Sequence, residues 1–100
     1  MQEFVNLLKK ASDKIKANES IIQLVSHYDC DGITSAAIMI STLLRLNKVF
    51  QLTIVKRIKK DVISDVKERK PELVIFTDIG SSYIDEIKDL DCNVIICDHH

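Results

Sequence analysis

His27, Asp29 and Asp31 fall on alternate residues of the stretch Ser26-His27-Tyr28-Asp29-Cys30-Asp31-Gly32-Ile33-Thr34-Ser35. In an extended segment every second side chain points the same way, so one imidazole and two carboxylates can converge on a single point. Like charges gain nothing from such convergence unless a cation or a basic partner holds them, and this donor set suits a divalent metal that prefers oxygen. Gly32 lets the backbone turn, and Thr34 and Ser35 open a helix. An ordinary polar loop, with Asp31 capping that helix and His27 half exposed, would use the same residues.

Two later segments carry the same chemistry. Asp78 stands in Thr77-Asp78-Ile79-Gly80, and Asp98-His99-His100 ends the chain. Several carboxylates and imidazoles at one rim can hold two cations about 3.5–4 Å apart, with one carboxylate bridging them, an arrangement suited to phosphoester hydrolysis. Asp78, isolated and central in the order of motifs, is the expected bridge; its alternative role is capping a helix. Mixed oxygen and nitrogen donors favour manganese and permit magnesium. Cys30 lies inside the acidic loop, but oxygen-preferring metals favour its neighbours and alternation turns it away from them.

The elements that must position these groups follow from hydrophobic spacing. Phe4, Leu7, Leu8, Ala11 and Ile15 predict an amphipathic helix over residues 2–17, with Asn18 as its stop. The apolar run 21–25 predicts a strand buried on both faces. Ile33, Ala36, Ala37, Ile40, Leu43 and Leu44 predict a helix over 33–47 whose small residues approach a sheet closely. Residues 50–55, 73–76 and 93–97 read as further strands, and 60–68 as a short helix carrying Val62, Ile63 and Val66. After the third strand, Ser81 or Ser82 is placed to cap a helix with Asp85 or Glu86 answering in a capping box, and Ile84, Ile87 and Leu90 forming its buried face.

Strands alternating with helices imply an α/β domain, a doubly wound parallel sheet with helices on both faces, joined by right-handed crossovers. Ligands bind such sheets at the carboxyl ends of strands beside a topological switch point. The expected strand order is 2-1-3-4. It brings the loops after strands one, three and four to one crevice, and those loops hold His27, Asp29, Asp31, Asp78, Asp98, His99 and His100. Lys56, Arg57, Lys59 and Lys60 follow the second strand at the same rim; they suit a nucleic-acid backbone, and a solvated edge explains them equally well.

Composition narrows the class without choosing a partner. One hundred residues, 46% of them apolar with two glycines and one proline, make one compact domain. The formal charge of −1 supplies no overall basic field. Cys30, Cys92 and Cys97 lack the paired spacing of a zinc site or a disulfide framework and suggest a reducing, cytoplasmic setting. No apolar run is long enough to span a bilayer, and the N-terminus lacks the apolar stretch of a signal peptide.

The pattern His27-x-Asp29-x-Asp31-Gly32-x-x-Ser35, the later Asp78 and the terminal Asp98-His99-His100 resemble the first three motifs of the DHH phosphoesterase superfamily. The compact form of the first motif looks most like the archaeal RecJ-like proteins. The resemblance implies a two-metal phosphoesterase, in this branch an exonuclease on single-stranded DNA or RNA, with replication or repair proteins as partners. It implies that His27 and Asp29 hold one cation, Asp31 and His99 the other, and Asp78 both. It gives His100 the substrate phosphate and leaves Asp98 to orient an imidazole. Arg57, Lys59 and Lys60 are the positions expected to touch substrate phosphates.

Members of that superfamily continue with a fourth metal-binding aspartate, more sheet and a second, substrate-gripping domain. Residues 1–100 are therefore expected to be the N-terminal portion of a catalytic domain, and inactive or nearly so alone. Three rivals share parts of the pattern. A haloacid dehalogenase-like phosphatase also places Asp-x-Asp after its first strand, but needs Thr or Val where Ile33 stands and has no use for the terminal histidines. A receiver-like domain would leave His27 idle. A non-catalytic replication or repair module of the same lineage would have no need of intact ligands.

Overall fold

A computed structural model describes residues 2–98. The elements run α1 (Gln2–Ala17), β1 (Ile22–His27), α2 (Cys30–Arg45), β2 (Phe50–Val55), α3 (Lys60–Glu68), β3 (Leu73–Thr77), a 3-10 turn (Ser81–Tyr83), α4 (Ile84–Ile87) and β4 (Asn93–Cys97). The four strands form one sheet in the order β2-β1-β3-β4. All three pairings are parallel, as the alternation of strands with helices requires.

The two central strands are mostly apolar because both of their faces are covered. Every residue of β3 is buried, as are the first five of β1. On one face Ile22, Leu24, Leu73 and Ile75 meet Ile15 of α1 and Leu43 of α2. On the other, Val25, Val74 and Phe76 meet Ile63 and Val66 of α3 and Ile87 of α4. Helices thus lie on both sides, as expected. Gln23 and Ser26 are the buried polar residues of β1; Gln23 donates to the Gln51 side chain at 3.3 Å and accepts from Arg69 at 2.9 Å.

Three local expectations change. α2 starts at Cys30 rather than Ile33, since Asp29 caps it by accepting from the Gly32 amide. Its apolar stripe is only partly used: Ala36 and Leu43 are buried, whereas Ile33, Ala37 and Leu44 face outward. α2 lies over the central strands β1 and β3, and Leu52 and Ile54 of the edge strand β2 are exposed as well. Among the described residues no capping box forms after β3, and Ile84, expected on the buried face there, is exposed while Ile87 and Leu90 are buried. The chain makes a 3-10 turn without a side-chain cap, and Ser81 spends its amide and hydroxyl on Asp98.

Candidate metal centre

The site grows out of the junction between β1 and α2. Ser26, fully buried near the end of β1, sits opposite Thr77 near the end of β3. The Ser26 hydroxyl lies 2.7 Å from the Gly32 carbonyl and 2.9 Å from the Thr77 carbonyl, and it accepts from the Thr77 hydroxyl at 2.9 Å. This buried link ties both central strands to the first turn of α2, fixing the residues that follow it in the chain, His27 and Asp78. Ser26→Ala leaves these partners buried without their donor and acceptor, so we expect a loss of about 1–3 kcal/mol. A urea midpoint that does not move would show that the link carries no stability.

Asp29 divides its carboxylate between two tasks. One oxygen accepts from the Gly32 amide at 2.8 Å, and the other lies 2.9 Å from His27 Nδ1. The Gly32 amide and, after it, His27 hold the Asp29 carboxyl below the usual carboxylate range. Asp78 comes from the neighbouring strand and is buried, with Oδ2 4.0 Å from the same His27 nitrogen. Its φ of 60° lies in the left-handed region, which aspartate enters more readily than most residues. Its amide donates to the Cys97 carbonyl at 2.9 Å and so continues the β3–β4 ladder past the end of β3.

His27, Asp29 and Asp78 each offer one ligand atom, all within 4.8 Å of one another. One imidazole and two carboxylates at that spacing fit a hard divalent cation with mixed oxygen and nitrogen donors. The three line a cleft of about 300 Å³ at the carboxyl end of the sheet, with Lys56, Asp98 and Ser82 among its other walls. It opens beside β1 and β3, where the order of strands reverses.

The remaining candidates are distributed as follows. Asp31 lies on the first turn of α2, exposed and outside that group of three, because the chain has already become helical and alternation no longer applies. Asp98 lines the cleft and accepts from the Ser81 amide and hydroxyl at 3.2 and 2.8 Å. His99 and His100 lie outside the described residues. Buried Ile58 anchors the loop after β2, leaving Lys56, Arg57, Lys59 and Lys60 exposed around it. Of these four only Lys56 lines the cleft; Lys60 borders a different hollow between α3 and α4.

A sequence model described as the DHH family, N-terminal domain, matches residues 21–100. The chain belongs to the DHH family. It is 37% identical over 103 residues to an uncharacterized protein of Methanocaldococcus jannaschii, covering 100% of this chain and 24% of that protein. It is also 33% identical over 105 residues to the single-stranded-DNA-specific exonuclease RecJ of Bacillus subtilis, covering 93% of this chain and 13% of that protein. The DHH-family chain therefore spans a quarter or less of the curated relatives it matches. Its fold matches RecJ from Thermus thermophilus in complex with Mn2+, with a TM-score of 0.74 and 22% identity over 95% of this chain and 14% of that one. A second structure, exonuclease RecJ bound to manganese, matches with a TM-score of 0.77 and 23% identity over 94% of this chain and 27% of that one. Family membership sets aside the haloacid dehalogenase-like and receiver-like alternatives.

Sequence reasoning passed over Ser26 and Thr77, which align the two strands of this DHH domain. Their signal was present in the pattern: each is a hydroxyl residue at the end of an apolar strand, one position before a candidate ligand. It also missed that Gly32 serves close approach. Gly32 is helical, and an added Cβ would lie 2.0 Å from the His27 carbonyl oxygen.

Proposed function

We propose that this DHH-family domain hydrolyses phosphodiester bonds with two divalent cations, manganese in preference to magnesium, and that its substrate is single-stranded DNA or RNA. The observation that carries the reading is the convergence of His27, Asp29 and Asp78 on one cleft at the switch point. Bound cations would supply a hydroxide nucleophile and neutralise charge developing on the phosphate.

The protein's own part is positioning. Asp29 would present one carboxylate oxygen while its other stays on the Gly32 amide, which keeps the side chain in a single orientation. Asp78, held by the backbone of β3 and β4, would be shared between cations. For the second cation the proposed ligands are Asp31 and His99. His100 would meet the substrate phosphate, and Asp98, fixed on Ser81, would orient an imidazole. Arg57, Lys59 and Lys60 would contact phosphates further along the strand. Replication or repair proteins would be partners in the cytoplasm. Among the described residues no helix is long and apolar enough to cross a membrane.

Calorimetric titration of Mn2+ into the folded protein should show saturable binding tighter than that of Mg2+. In a version extended past His100, Mn2+-dependent release of mononucleotides from a single-stranded oligonucleotide should stop when a chelator is added in excess. A folded protein that binds no Mn2+ would remove the metal reading. Release that ignores the chelator would remove the mechanism.

A further inference from the structure

We propose that Tyr28 and Lys56 form the nucleotide-holding flank of the cleft, the Tyr28 ring taking a base face and the Lys56 ammonium an adjacent phosphate. The inference rests on the phosphodiesterase reading above and adds to it two positioning residues and a preference for base-bearing strands.

The backbone brings the two residues together. The Tyr28 amide donates to the Val55 carbonyl at 3.0 Å, so Tyr28 and Lys56 emerge side by side just beyond the paired ends of β1 and β2. The Tyr28 ring stands edge-on to His27, with centroids 4.9 Å apart and planes at 82°, and Lys56 Nζ lies 5.9 Å from the ring centre. Both ring neighbours line the cleft that holds Asp29 and Asp78.

Tyr28 is well anchored at its backbone, yet the residue is 51% exposed. A tyrosine that served packing would bury its ring; this one is presented next to the metal group. Tyr83, the other tyrosine, lines the cleft as well but packs partly against the core, so it is less free to take a base. The carboxylates on the cleft walls are Asp29, Asp78 and Asp98, and Lys56 is the only lysine or arginine among the described residues lining it. A polyanion entering there needs a positive contact outside the metal group, and Lys56 supplies one. Stacking tolerates any base because each has a π face, and a phosphate contact carries no sequence information. The pair therefore suits a single strand of any sequence, its unstacked base lying on the ring; in a duplex that face is occupied.

The test is fluorescence anisotropy with Mn2+ present, using labelled oligothymidylate and an abasic oligomer of equal length, both with phosphorothioate linkages. The wild type should bind the thymidylate more tightly. Tyr28→Ala should weaken thymidylate binding about ten-fold or more and leave the abasic oligomer unaffected. Lys56→Gln should weaken both oligomers alike and lower the salt slope by about one. Calorimetric Mn2+ affinity should stay the same in both variants. Equal losses on the two oligomers in Tyr28→Ala would overturn the inference. So would a fall in Mn2+ affinity, which would mean that the ring serves to hold His27. Wild-type protein that binds Mn2+ but neither oligomer would overturn the nucleic-acid substrate itself. Variants indistinguishable from a wild type that binds both would overturn this inference alone.

Discussion

Asp78→Asn should abolish the calorimetric Mn2+ signal while leaving the metal-free protein folded. The substitution separates charge from shape. Asparagine has the size of aspartate and enters the left-handed region as readily, so the backbone at φ 60° and the hydrogen bond from its amide to the Cys97 carbonyl are retained. Asp78 is buried, so removing its charge also relieves desolvation, which offsets the loss of its interaction with His27 Nδ1 at 4.0 Å. These opposing terms leave the metal-free variant folded, with a cooperative urea transition like that of wild type.

Metal binding has no such offset. A neutral amide oxygen replaces an anionic ligand in a group of three, and if Asp78 bridges, both cations lose it. The affinity should fall by more than the roughly 10–100-fold typical of residues that merely support a ligand. Asp78→Ala is a poorer probe, since alanine at positive φ adds backbone strain of about 1–2 kcal/mol and mixes two effects. Unchanged Mn2+ affinity in the asparagine variant would show that His27 and Asp29 bind the cation without Asp78, and the shared-carboxylate assignment would fall.

The contrast between what the sequence disclosed and what it concealed has a physical basis. Strand order was legible because buried parallel strands must be continuously apolar and right-handed crossovers leave few topologies, so Leu73 to Phe76 could hardly have been an edge. His27 and Asp78 were legible as candidate ligands for the same reason, since each stands two residues past such a run. The start of α2 was not. Asp29, Asp31, Thr34 and Ser35 are all competent caps, and local propensity cannot rank them. The choice is made by tertiary packing, which draws Gly32 against the end of β1 and leaves Asp29 where its carboxylate meets the Gly32 amide. That shift puts Asp31 on a helix instead of an extended segment, which alternation could not foresee. The exposed half of the α2 stripe was hidden for a related reason: periodicity identifies a helix but not how much of its apolar face the neighbouring elements reach.

Gly32→Ala tests that packing choice, because two principles give it opposite signs. Alanine in a helix is favoured over glycine by about 1 kcal/mol, so propensity alone makes the variant more stable. Geometry gives the reverse. The new Cβ would lie 2.0 Å from the His27 carbonyl oxygen and 2.5 Å from its carbon, and both are backbone atoms of β1 that cannot swing aside. The first turn of α2 must then lift away from the strand. Lifting it breaks the bond from Ser26 to the Gly32 carbonyl and the cap from the Gly32 amide to Asp29, and it frees the Asp29 carboxylate from its fixed orientation. Overpacking strain and two lost hydrogen bonds outweigh the propensity gain, for a net cost of about 3 kcal/mol or more. Urea unfolding should show a lower midpoint at an unchanged slope, and the fraction still folded should bind Mn2+ more weakly because Asp29 is no longer held toward His27. A more stable variant with intact Mn2+ affinity would mean that the helix does not approach the strand this closely, and the account of how Asp29 is positioned would have to be abandoned.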